Sequence, residues 1–92
     1  MPQPRNMIGP QIRRIRTTRE LSQRELALML QVKGWDISRD TLAKIEDQRR
    51  WVSDFELCFL AEILGVQVVT LFPNPKDDPA RRYIQVLEKR LS

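Results

Sequence analysis

The sequence predicts an all-α domain. Three observations carry this. Apolar residues recur at helical spacing, three and four apart, with no stretch of strict two-residue alternation. Two Ser-x-x-Glu segments, Ser22/Glu25 and Ser53/Glu56, have the form of capping boxes, in which the hydroxyl serves the third backbone N–H and the carboxylate reaches back. Gly34, Gly65 and Pro73 fall where periodic segments stop. At 92 residues the chain has room for one small domain with short extensions.

In chain order, residues 1–7 contain two prolines and no apolar signal core, and read as a frayed lead. A first helix follows from Gly9 or Pro10 to Thr18. It turns Ile8, Ile12 and Ile15 inward and carries Arg13, Arg14, Arg16 and Arg19 on or near its other faces. Ser22 starts a second helix, with Leu21 and Leu26 placed as a hydrophobic staple and Leu26, Ala27 and Leu30 on one stripe. A connector over 31–37 contains Gly34, Trp35 and Ile37. Ser38 is a fitting N-cap for a third helix over 38–47, in which Leu42 and Ile45 form the apolar stripe.

The fourth helix, Asp54–Leu64, is apolar on two faces. Leu57, Leu60, Ala61 and Leu64 define one, expected in the core; Phe55, Phe59 and Ile63 define the opposite one. Such a stripe is an exposed patch unless something covers it. A short helical turn is expected over 68–72, stopped by Pro73. Residues 73–79 read as a linker. Asp78 and Pro79 then suit the N-cap and first position of a last helix over 80–92, with Ala80, Tyr83, Ile84, Leu87 and Leu91 on one stripe. That stripe offers a match for the Phe55/Phe59/Ile63 face, within the chain or across a dimer.

Composition narrows the function. The net charge is +4. Residues 1–50 hold eleven Lys/Arg against six Asp/Glu, and residues 51–92 hold five against six, so the positive charge sits in the first half. A one-sided basic surface suits a polyanion. With one cysteine and no histidine, the chain has neither an intrachain disulfide framework nor a Cys/His zinc site, and it lacks the commonest general base. No catalytic set, metal site or cofactor is expected. No apolar run nears the roughly 20 residues that span a membrane, and the expected location is the reducing cytoplasm, in association with the nucleoid. Cys58 is expected to be a buried small apolar residue, and Trp35 and Trp51 to serve local packing.

The segments IGPQIRRIR, LSQRELALML, ISRDTLAKIE and LAEILGVQVVTLF, in this order over 8–72, resemble the lambda-repressor-like (Cro/phage repressor, XRE) helix-turn-helix family. The resemblance implies a compact five-helix DNA-binding domain, here with an additional C-terminal helix. It implies binding to duplex DNA, usually as a homodimer, to regulate transcription, with repression the expected mode. The third helix would enter the major groove and present Arg39, Asp40, Thr41 and Lys44 to base edges. Arg39 can bond two acceptors on guanine, and Asp40 can accept from cytosine or orient Arg39. Gln23, Ser38, Arg49 and Arg50 would meet the DNA backbone. The resemblance also implies a partly buried salt bridge between Arg16 and Glu46.

Two departures from the family pattern stand out. The connector over 31–37 is several residues longer than the usual tight turn, and Asp47-Gln48 replaces a common Asn-Gly. An alternative reading is a protein-interaction module, such as an antitoxin, that uses Phe55, Phe59 and Ile63 with the last helix.

Overall fold

In the computed structural model, the described residues are 3–73. They form four α-helices, α1 Gly9–Thr18, α2 Gln23–Val32, α3 Arg39–Glu46 and α4 Asp54–Leu64, followed by a 3-10 turn, Val68–Leu71. The expected fifth helix is therefore a single tight turn. Four residues, with Pro73 two positions beyond the last, leave no length for an α-helical ladder. The linker over 74–79 and the last helix, with Tyr83, Ile84, Leu87 and Leu91, lie outside the described residues.

Local chemistry sets the helix starts. Ser22 and Ser53 each accept the N–H of the third helical residue, and Glu25 and Glu56 each return a bond to the cap's own N–H. Ser38 accepts from Thr41 N–H without a returning carboxylate. The stops share one pattern. After α2, Gly34 N–H bonds Gln31 O and Trp35 N–H bonds Leu30 O, both at 3.0 Å, around a positive φ of 112° at Gly34. This is a Schellman stop, and Gly65 makes the same one after α4. Glu20 (φ 58°) and Gln48 (φ 63°) hold the equivalent position after α1 and α3, although neither is glycine.

The stops place the helices around one core. Ile12, Leu26, Leu30, Leu42, Ile45, Leu60, Leu64 and Leu71 are wholly buried, with Ile8, Ala27, Ile37 and Ala61 nearly so. Helix α3 packs on both α1 and α2, while α4 packs on α2 and the 3-10 turn. Gly9 makes a close joint. A Cβ there would lie 2.3 Å from Ile45 O and 2.7 Å from Glu46 O, so α1 and the end of α3 meet closely only because that atom is missing.

Several expectations need correction. Residues 5–7 do not fray. Arg5 N–H bonds Gln48 O at 2.9 Å, Gln48 Nε2 bonds Asn6 O at 3.0 Å, and Met7 packs against the core. Helix α2 runs to Val32, so the connector is 33–38, and Gln31 Nε2 closes it by donating to Ile37 O at 2.6 Å. The Phe55/Phe59/Ile63 stripe is not exposed as a whole. Trp35 from the connector lies 6.2 Å from Phe59 between ring centroids, Phe59 and Ile63 are partly buried, and Phe55 alone is bare at 79% exposure. Cys58 is exposed, because α4 buries the stripe of Leu60, Ala61 and Leu64 and Cys58 lies off it. Trp51, expected to pack, is 71% exposed, in the loop before α4.

Candidate nucleic-acid interface

Helix α3 buries Leu42, Ile45 and Glu46 and leaves Arg39, Asp40 and Lys44 exposed. At 100° per residue, Asp40, Lys44 and Asp47 fall on the side opposite Leu42 and form one outward row. Ser38 closes the N-terminus: its hydroxyl accepts Thr41 N–H at 3.1 Å and donates to Thr41 Oγ1 at 3.0 Å. Thr41 is thereby drawn back onto the cap and is half-buried. Arg39 and Asp40 are exposed and lie 3.6 Å apart, too far for a hydrogen bond and screened by solvent. Lys44 is exposed and has no ion-pair partner among the described residues.

Beneath this face lies the Glu46 hub. Glu46 is 2% exposed and accepts from Arg16 Nε at 2.7 Å and Arg16 Nη2 at 2.9 Å. Gln23 Nε2 at 3.0 Å and Arg13 Nε at 3.3 Å complete it. Arg16 also donates to Leu21 O at 2.7 Å, in the turn that opens α2. One carboxylate on α3 is thus tied to two arginines on α1 and a glutamine on α2. Burial pushes the Glu46 carboxyl up, but bonds from Arg16, Gln23 and Arg13 with the Arg16 charge push it further down, and it ends below the usual value.

The expected backbone contacts are arranged unequally. Gln23 sits at the first position of α2, with its side chain held by Glu46 rather than extended. Arg49 is exposed and touches Asp47 at 3.3 Å. Arg50 is turned inward: its fork grips both Glu56 oxygens at 2.9 Å and bonds Trp51 O at 3.0 Å. Glu56 also caps α4, so Arg50 fixes the loop that joins α3 to α4. Asp47, which at a phosphate would repel, is bonded by Arg13 as well as Arg49, and these bonds hold its carboxyl below the usual range.

Two contributors carry no sequence motif. Asn6 donates to Ile45 O at 3.1 Å and Arg50 O at 2.9 Å and accepts Gly9 N–H at 2.8 Å, linking the lead, α1 and the exit of α3. Gly9 supplies the close approach. A Gly-Pro pair at a helix start is a signal for the start itself, and nothing in it announces a contact some 36 residues away.

A short α2, a connector, and an outward α3 braced by α1 and α2 define a helix-turn-helix domain of the DNA-binding kind. Residues 12–71 match the helix-turn-helix family model HTH_3, and the chain belongs to that family, the lambda-repressor-like (Cro/phage repressor, XRE) group of DNA-binding regulators. No curated protein sequence matches it. Among solved structures it is similar to the restriction-modification controller protein C.AhdI from Aeromonas hydrophila, at 29% identity and a TM-score of 0.63, over 72% of this chain and 92% of that one. The clp gene regulator ClgR from C. glutamicum gives 27% and 0.64, over 77% and 86%. The DNA-binding domain of BldD gives 27% and 0.63, over 76% and 94%. The family is one of DNA-binding regulators rather than enzymes. Among the described residues no helix is long and apolar enough to cross a membrane.

Proposed function

We propose that the protein is a sequence-specific transcriptional regulator that reads duplex DNA with α3 in the major groove. The observation that carries this reading is the Glu46 hub. It holds α3 by its buried side and leaves Arg39, Asp40 and Lys44 facing outward on a rigid base. Arg39, beside Asp40, bonds guanine, and Lys44 reaches a base or a phosphate one turn on. Thr41 lies beside them, and its methyl group suits an apolar contact with thymine. Ser38 and Gln23 present helix N-termini to the backbone, and Arg49 meets it beyond the far end of α3. Arg50 acts on DNA indirectly, by setting the loop through Glu56.

Good bidentate base contacts discriminate by about 1–3 kcal/mol each. One short helix with three or four such residues is therefore weakly selective. Two copies related by a two-fold axis double the readout and space half-sites about 34 Å apart. A homodimer on a near-palindromic operator follows, with the 80–92 segment as its candidate contact. Repression is the expected mode, since occupying a promoter requires no surface beyond the DNA face.

Selection of bound sequences from random duplexes, with sedimentation of the same sample, tests this. Recovery of a two-fold-symmetric motif by a dimer is expected. Weak binding with no enriched motif refutes the reading.

A further inference from the structure

Arg5 and Asn6 are bound to the end of α3 and the segment after it by a ladder of hydrogen bonds. Arg5 N–H meets Gln48 O, Gln48 Nε2 meets Asn6 O, and Asn6 Nδ2 reaches both Ile45 O and Arg50 O. This holds the exposed Arg5 beside Arg49 at an open cleft of about 500 Å3, lined by Gln3, Pro4, Arg5, Asp47, Gln48 and Arg49. The cleft continues the outward row of α3, since Asp47 follows Asp40 and Lys44 on the same side.

Its charge is positive. Among its lining residues Arg5 and Arg49 stand against Asp47, two cations to one anion. Arg16 pairs with buried Glu46, and Asp47 is bonded by Arg13 and Arg49. Arg5 has no ion-pair partner among the described residues. The lining adds amide donors from Gln3 and Gln48.

We infer that the cleft between the N-terminal lead and the α3–α4 loop is a DNA-backbone site, in which Arg5, pinned through Asn6 and Gln48, takes a phosphate of the duplex read by α3. The inference rests on the proposed DNA-reading role. It adds a contact that no recognition-helix motif contains. Arg5 meets phosphate and no base edge, so it strengthens binding to every sequence alike and fixes the register of α3. The lead is therefore part of the DNA surface.

The test is the salt dependence of duplex binding by the full chain, followed by fluorescence anisotropy between about 50 and 200 mM salt. Arg5→Gln keeps the backbone N–H that bonds Gln48. Arg19→Gln is the charge-matched control, because Arg19 lies beside Gly65 at the end of α4. Each phosphate contact contributes about 0.9 to the slope of log K against log salt, equivalent to about five-fold in affinity near 0.15 M. Arg5→Gln is expected to lower the slope by about one per protomer. It should weaken selected and random duplexes by the same factor, while Arg19→Gln keeps the wild-type slope. A wild-type slope in Arg5→Gln, with the parent chain binding DNA steeply, overturns the Arg5 site and leaves the α3 reading standing. Loss restricted to the selected sequence also overturns it, since that marks a base contact. A parent chain with no salt-sensitive binding removes both.

Discussion

Replacing Glu46 with alanine tests the hub directly. The carboxylate is 2% exposed and receives four hydrogen bonds from Arg16, Gln23 and Arg13. Without it, Arg16, itself 9% exposed, keeps only the bond to Leu21 O among those seen here. Removing one partner of a buried ion pair costs about 3–5 kcal/mol, because the remaining charge is left without compensation. The Arg13 arm is half-exposed, so solvent screening limits its share to about 1 kcal/mol or less. A chain of this length has a total stability of about 5–14 kcal/mol. The loss is therefore a large fraction of it, equivalent to a fall in Tm of roughly 15–30 °C. Urea unfolding followed by far-UV circular dichroism measures it. The double variant Arg16→Met/Glu46→Leu removes both charges and should lose much less than the sum of its parts. A loss below about 1 kcal/mol in Glu46→Ala, or strict additivity in the double variant, refutes the hub as the brace of α3.

Other outcomes follow from the same geometry. Gly9→Ala places a carbon against the Ile45 and Glu46 carbonyls and should cost about 1–3 kcal/mol or more, read as a drop in the urea midpoint. Glu46, Glu56, Asp47 and Glu25 all have folded pKa values below their ordinary ones. Their contribution is fully present above the ordinary carboxylate range and is lost as pH falls through the depressed values. Stability should stay level from about pH 7 to 5 and drop below about pH 4.5, with a shallower drop in Glu46→Gln. Cys58 is exposed, so one thiol per chain should react with Ellman's reagent without denaturant; a thiol that titrates only after unfolding contradicts its placement on α4.

Much of the scaffold was legible because its signals are local. Ser22/Glu25 and Ser53/Glu56 sit three residues apart and close onto their own backbones, so the boxes are visible as spelling. Gly34 and Gly65 mark stops in the same way, whereas Glu20 and Gln48 make the same stop with residues that give no such signal. Helical periodicity identified the two apolar faces of α4 but could not say what would cover the second. Trp35 does so because the long connector folds back, and that is a tertiary fact. Asn6 and Gly9 act across roughly 36–44 residues, with partners that are backbone carbonyls and leave no trace in side-chain identity. The Arg50–Glu56 pairing is hidden in the sequence for a related reason. A cation after α3 looks the same in sequence whether it faces phosphate or Glu56, and only the fold brings the carboxylate within 2.9 Å.

The grip on α3 is lopsided. Asn6, Gly9, Arg16 and Gln23 all seize its last turn, while its first turn is held by little more than Ser38 and the side chains beneath. The helix works like a cantilever, clamped at the root with its tip projecting. Exchanging Arg39 or Asp40 disturbs no anchor, so, under the proposed reading of DNA by α3, a lineage can acquire a new preferred operator by substitution at the tip while its folding free energy scarcely changes.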